Sequence, residues 1–491
     1  MLEKSKQIRN SFIYMLPLGI SSLLPVITIP IFTRILSPED YGVLAIAFLY
    51  SSFICGLANF GISLAFERNY FKYSDNSEKL AQLLYSSLVF VITNFVVLAL
   101  ITYLFKSYIS IILSGSAQYG TLILTSCVAQ LFFSTINNFF FIFLKNEEKA
   151  KPYVLYRILS SIIYFIISLF LVAYIRIGII GLVIAQMITG IILFILLSYL
   201  FLMKFNFSIN KNILLESLKI SYPLTPSIFL RLLGSQFDKY LISLLATMGG
   251  VGIYHIGRRV TDILFSLMTA LSNVFGPQIY QRMFEQHEQG SESIGKYLTP
   301  FFYITILMAF ILALLSEEVI TIMTPISYHG AIPIITILCI YYISFFFEKI
   351  LGMQITYMKK THFISFLNIC GIGLNIGLNI PFIMKYGAIG AAWATLLSAS
   401  ILTPISIIVA QHYYKINWEW KKISQILTIF FIGSFSTIFL YLLGTPYLFS
   451  LALKFIFMAV FLYLGVRYRI ITKENYSVVK DAIFLKKLSL I

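Results

Sequence analysis

The chain has 491 residues, of which 59% are hydrophobic and only 11% charged, and it carries a net charge of +16. Soluble domains carry roughly 25% charged residues, which excludes a cytosolic enzyme. The excess Lys and Arg falls mostly in short segments between apolar runs, so membrane topology accounts for it and a nucleic-acid surface does not.

Apolar runs long enough to cross a ~30 Å hydrocarbon core recur from end to end. Fourteen spans are predicted, at 11–33, 41–66, 82–105, 119–144, 153–175, 178–203, 220–246, 251–280, 297–323, 331–358, 363–384, 387–411, 424–443 and 447–466. No pattern of short alternating strands is present, so the expected class is an all-α integral membrane protein. The first run is too long for a cleavable signal and lacks a small-residue cleavage site. It contains Pro17, Pro25 and Pro30, and the seventh opens on Pro223 and Pro226. Proline removes a backbone donor and kinks a helix, so these helices either bend during transport or carry static kinks for packing. Cys55, Cys127, Cys339 and Cys370 all lie in apolar runs without metal-ligand spacing and read as small buried hydrophobes. Residues 467–491 alternate basic and apolar and are expected to lie on the inner leaflet as a basic amphipathic helix attracted to anionic lipids.

Loop charge sets the orientation. With the N-terminus in the cytoplasm, the inside segments carry 25 Lys and Arg and the outside segments four, namely Arg34, Lys106, Arg176 and Lys385. Both termini are therefore expected inside, and no outside loop exceeds about 15 residues, too little for a catalytic domain.

The chain also repeats itself. Gly178-Ile179-Ile180-Gly181 opens span six and Gly387-Ala388-Ile389-Gly390 opens span twelve, an offset of 209 that also pairs Pro17 with Pro226 and Lys151 with Lys360. An offset of 210 pairs Tyr41-Gly42-Val43-Leu44 with Val251-Gly252-Ile253-Tyr254. A constant offset at equivalent points of the span pattern marks an internal duplication. Two six-helix lobes are expected, 1–205 and 206–411, followed by two additional helices in 412–466 and the tail 467–491. Parallel repeats of this kind place a substrate site between them near the midplane.

Thr33-Arg34-Ile35-Leu36-Ser37-Pro38-Glu39-Asp40-Tyr41-Gly42-Val43 resembles a signature of the polysaccharide-export flippases, within the multidrug/oligosaccharidyl-lipid/polysaccharide (MOP) exporter superfamily. Asp238-Lys239-Tyr240-Leu241-Ile242 with Val251-Gly252-Ile253-Tyr254 looks like the second-half counterpart, and Tyr386-Gly387-Ala388-Ile389-Gly390-Ala391-Ala392 resembles the span-twelve motif. The resemblance covers the whole chain. It implies a V-shaped central cavity that faces each side in turn. It also implies an undecaprenyl-pyrophosphate-linked oligosaccharide as cargo, flipped in a bacterial cytoplasmic membrane for O-antigen, capsule or exopolysaccharide, with polymerase and chain-length components as pathway partners.

Charges inside spans are costly, at least ~2.5–3.5 kcal/mol each at the bilayer centre, and are functional candidates by default. Span seven holds Arg231, Asp238 and Lys239; span eight holds Arg258, Arg259 and Asp262. At 1.5 Å rise per residue, Arg231 lies roughly 15 Å from the inner end, near the midplane. Arg231 and Asp238 share a helix face, as do Arg258 and Asp262. The guanidinium fork binds phosphate bidentately. Arg231, Arg258 and Arg259 are therefore expected to meet a pyrophosphate or acidic sugar, with Asp238 and Asp262 holding them when the site is empty. The structural alternative is an ion-pair cluster locking the two spans together. Asp238, Asp262 and Glu348 are the candidates for H⁺ or Na⁺ coupling, Lys239 is a charge-pairing candidate, and no cofactor or metal is expected.

Three other readings carry less of the sequence. A polymerase or ligase for lipid-linked glycans needs an outside catalytic loop that this chain lacks, a cation-exporting multidrug relative calls for an acidic cavity, and a scaffold leaves the buried charge unexplained. Gly290 to Lys296 spells the phosphate-loop skeleton, but Tyr297 stands where Ser or Thr would hold magnesium and no strand precedes it.

Overall fold

The computed structural model describes residue 24 and residues 26–286 and 290–470. Pro17, Pro25 and the tail beyond Ile470 lie outside the described residues, as does the side chain of Arg231. Among the described residues the chain is helical and contains no strand. It divides into two compact units, Lys6–His255 and a second that includes Ile256–Ile491.

The first unit runs through α1 (Pro38–Asn59), α2 (Ile62–Lys72), α3 (Ser77–Leu104), the short α4 (Lys106–Ser114), α5 (Gly120–Thr135), α6 (Phe141–Asn146), α7 (Ala150–Ser168), α8 (Ile180–Lys204), α9 (Lys211–Ser221) and α10 (Thr225–Leu245). It also takes in the start of α11 (Met248–Gln286). The second unit continues through α12 (Gly290–Leu314), α13 (Ser316–Met323), α14 (Ala331–Tyr357), α15 (His362–Tyr413), α16 (Trp420–Leu442) and α17 (Tyr447–Arg467). Eleven helical stretches among the described residues are long and apolar enough to cross a membrane. One of them, α15, covers two predicted spans and turns between them at Gly387. The 21-residue α10 falls outside the eleven because Arg231, Asp238 and Lys239 all lie in it. Predicted span nine ends earlier than expected: α12 stops at Leu314 and the chain resumes as the separate helix α13, a turn that an apolar tally does not register.

Local chemistry sets the helix limits. At the start of α1, Ser37 caps the helix by accepting from the Asp40 amide, while Asp40 Oδ2 accepts from the Ser37 amide at 2.9 Å. With Pro38 in the first turn this is a complete capping box. The family-like segment Ser37-Pro38-Glu39-Asp40 is thus a helix start. The helix breaks at Phe60 and Gly61, both left-handed with φ of 47° and 70°, and resumes as α2.

Each unit has its own core. In the first, Phe66, Phe139, Phe140, Phe143 and Phe201 interlock edge to face, with Phe66–Phe139 at 5.3 Å and Phe143–Phe201 at 5.0 Å between ring centroids. In the second, α14 is buried along most of its length, and Phe310 of α12 sits 5.5 Å from Phe430 of α16 and 5.0 Å from Phe461 of α17. Lipid tails are as apolar as leucine, so close packing and polar contacts, more than the hydrophobic effect, hold such helices together.

The repeat reappears as repeated geometry. Gly178 and Gly387 both take positive φ, 71° and 58°, values that glycine adopts without strain. Three residues on, Gly181 and Gly390 both sit where a side chain has no room: a Cβ would lie 2.9 Å from Val172 Cγ2 and 2.0 Å from the Phe382 carbonyl oxygen, respectively.

Candidate functional site

The charged residues of predicted spans seven and eight are divided between the two units. In the first unit, Asp238 of α10 is buried, 3% exposed, and accepts a hydrogen bond from the Tyr254 hydroxyl at 2.8 Å. Tyr254 is itself completely buried. A buried carboxylate needs such donors, because leaving it unpaired costs several kcal/mol. Lys239 points elsewhere and donates to Gln236 Oε1 at 2.8 Å. The backbone of Arg231 lies in α10, seven residues before Asp238.

In the second unit, α11 and α14 share a half-exposed polar face. Asp262 is exposed and accepts from the Tyr342 hydroxyl at 3.4 Å. Arg258, one turn before it, is half-buried, as is Arg259. Phe265 meets Phe345 at 5.1 Å, and the Lys349 ammonium lies 4.9 Å from the centre of the Phe345 ring. Glu348 is exposed on a helix that is otherwise mostly buried. Five charged side chains on α11 and α14 therefore accompany an aromatic strip. Guanidinium forks give this face the means to hold an anion, and the carboxylates give it the means to change charge with protonation.

Two cations inside apolar helices, one half-buried and one buried, escaped the sequence reading. Arg157 of α7 donates to Asn137 Oδ1 at 2.5 Å and sits over the Phe141 ring at 5.6 Å. Asn137 lies in a wide helical turn, Ile136–Phe140, a distortion frequent at functional positions. Lys454 of α17 is 3% exposed and donates at 2.7 Å to both Glu317 and Glu318 of α13. The detectable signal was simply a cation inside an apolar run. Among the described residues, no three His, Cys, Asp or Glu side chains converge as metal ligands. The Gly290–Lys296 skeleton opens the continuous helix α12, and a Cβ at Gly295 would lie 1.9 Å from the Asn417 carbonyl oxygen. A loop cradling phosphate has no place there.

The fold is that of a helical membrane protein with charged residues inside its spans, and comparison with known proteins places it beside membrane transporters. The sequence matches the family described as Polysaccharide biosynthesis protein over residues 8–283. The chain belongs to that family. The protein named Probable low-salt glycan biosynthesis flippase Agl15, from Haloferax volcanii, is 25% identical over 190 residues, covering 38% of this chain and 40% of that relative. The chain thus aligns with less than half the length of that relative. Among solved structures, the lipid II flippase MurJ in an inward closed conformation matches with a TM-score of 0.71 at 18% identity, covering 94% of this chain and 99% of that one. An inward-facing multidrug resistance MATE transporter of the MOP superfamily matches with a TM-score of 0.60 at 16% identity, covering 80% and 95%. At these identities the likeness is one of fold.

Proposed function

We propose that this protein is a flippase that moves undecaprenyl-pyrophosphate-linked oligosaccharide units from the inner to the outer leaflet by alternating access, for surface polysaccharide synthesis. In this reading the lobes 1–205 and 206–411 are the moving halves, the membrane is a bacterial cytoplasmic membrane, and both termini are cytoplasmic. The observation that carries it is the half-exposed face of α11 and α14, where Arg258 and Arg259 lie beside Asp262 and an aromatic strip. Membership of the polysaccharide family and the flippase name of the Haloferax relative support the cargo class. Arg231, Arg258 and Arg259 meet the pyrophosphate; Asp238, Asp262 and Glu348 are the groups through which H⁺ or Na⁺ is coupled. A multidrug-type exporter of cations is the competing reading within the same fold, and the paired arginines speak against it.

The test is lipid analysis of cells lacking the protein but retaining the surrounding glycan pathway. Single lipid-linked units should accumulate on the cytoplasmic side. Units accumulating on the outer side would mean that flipping is intact, and would reassign the protein to a polymerase or ligase step. Arg258→Ala at normal protein level should reproduce the cytoplasmic accumulation; full export would remove Arg258 from the site.

A further inference from the structure

Two helix breaks face each other in the first unit. One is the left-handed pair Phe60 and Gly61 between α1 and α2; the other is the tight turn Tyr222–Leu224 between α9 and α10. The Thr225 hydroxyl donates to the Phe60 carbonyl at 3.2 Å, and a Cβ at Gly61 would come 2.8 Å from Ile228 Cδ1. Beside this junction lies a groove of 680 Å³, a size that holds small ligands. Phe60, Phe90 and Leu218 wall it, and Leu215 and Tyr222, 46% and 71% exposed, flank its mouth.

The lining is almost wholly apolar and its one charged residue is Lys219. The neighbouring carboxylate, Glu216, is engaged elsewhere, by Lys72 at 2.5 Å and by the Tyr73 hydroxyl at 2.7 Å. Lys219 makes no ion pair among the described residues, and it belongs to the basic set that loop charge assigns to the inner side. An apolar slot with one cation at the inner surface complements a ligand with an acyl chain and a negative head.

We infer that this groove is a site for an anionic phospholipid of the inner leaflet. One acyl chain lies past Phe60 and Phe90, and the head-group phosphate rests on Lys219. A filled groove braces the α9–α10 turn against the α1–α2 break, so bound lipid stiffens the junction. A prenyl carrier shares the chemistry, but a groove of 680 Å³ is of the size of one phospholipid acyl chain and falls well short of an undecaprenyl chain.

The test uses the full chain, purified in neutral detergent and titrated with phosphatidylglycerol or phosphatidylcholine, with retained lipid counted by native mass spectrometry and thermal unfolding followed in parallel. Phosphatidylglycerol should be retained and raise the unfolding temperature; phosphatidylcholine should do neither. Lys219→Ala, a surface change, should weaken retention about fivefold, the factor one interfacial lysine contributes. Leu218→Trp should block retention by filling the slot. Equal retention of the two lipids, or unchanged retention in Lys219→Ala, would overturn the assignment. So would displacement of phosphatidylglycerol by undecaprenyl phosphate at equal mole fraction, which would make the groove a carrier site.

Discussion

Gly42 and Gly252 cross so closely that neither position has room for a side chain. A Cβ on Gly42 would lie 1.9 Å from the Met248 carbonyl oxygen, and one on Gly252 would lie 1.8 Å from the Pro38 carbonyl oxygen and 3.0 Å from the Gly42 amide nitrogen. The two glycines are the repeat-related pair at offset 210, so the duplication meets itself where α1 and α11 begin. Gly42→Ala and Gly252→Ala should each destabilise the protein. Alanine's intrinsic helix advantage of about 1 kcal/mol is outweighed by overpacking of about 1–3 kcal/mol, because the clash is with backbone. Gly377→Ala in α15, where a Cβ meets open space, should be neutral or stabilising. Thermal unfolding of the three variants decides; equal midpoints for Gly42→Ala and Gly377→Ala would refute the crossing.

Removing the Tyr254 hydroxyl tests the buried carboxylate. Tyr254→Phe keeps the ring and deletes the 2.8 Å bond to Asp238. A buried acceptor that loses a donor costs about 1–3 kcal/mol. Asp238→Asn in the same background should recover part of that loss, since a neutral amide is cheaper to bury. If the double variant is no more stable than Tyr254→Phe, the hydroxyl is not what balances the charge.

Much of this was legible before any coordinates. Apolar runs gave the helices, and offsets of 209 and 210 gave residue pairs that the structure finds in matching roles, Gly178 with Gly387 and Gly181 with Gly390. What the sequence could not show was which residues meet across long separations. Asp40 reads as part of a family signature, yet its carboxylate caps α1. Lys454 finds its carboxylates more than 130 residues away, and no periodicity encodes such a distance. The Phe60–Gly61 break was invisible because both flanks are apolar enough to continue a helix.

The contact between α2 and α9 should be pH-sensitive on its acid side. Hydrogen bonds from Lys72 and then Tyr73 hold the Glu216 carboxyl below its usual range, and the bond to Glu216 raises the Lys72 ammonium. A lowered carboxyl contributes stability above its unfolded value and loses it as pH falls through the folded value. A raised ammonium contributes below its unfolded value and loses it as pH rises through the folded one. Both are therefore fully present at neutral pH, and the acid limb begins near the usual carboxylate range, about pH 4. The pair is solvated, so the effect is small. The protection of α9 amides, their hydrogen-exchange rate relative to the intrinsic rate of an unfolded chain at the same pH, should fall below that range in the wild type, and Glu216→Gln should flatten the dependence. The same acid limb in both proteins would assign it to another group.

Lys454 holds α17 to α13 through two carboxylates, with Glu317 27% and Glu318 15% exposed. One ammonium facing two carboxylates leaves a net negative charge in a confined place, so removing each partner has a consequence of different size. Lys454→Met strands two carboxylates and should cost about 3–5 kcal/mol, the range for breaking a buried pair from one side. Glu318→Gln should cost far less, because Glu317 still balances the ammonium at 2.7 Å. Combining Lys454→Met with Glu317→Gln and Glu318→Gln should return most of the stability, since no uncompensated charge remains. Unfolding midpoints of the single, double and triple variants supply the cycle. Additive losses would show that the three groups act independently, and that α17 is held by its apolar contacts, such as Phe461 against Phe310, instead of by charge.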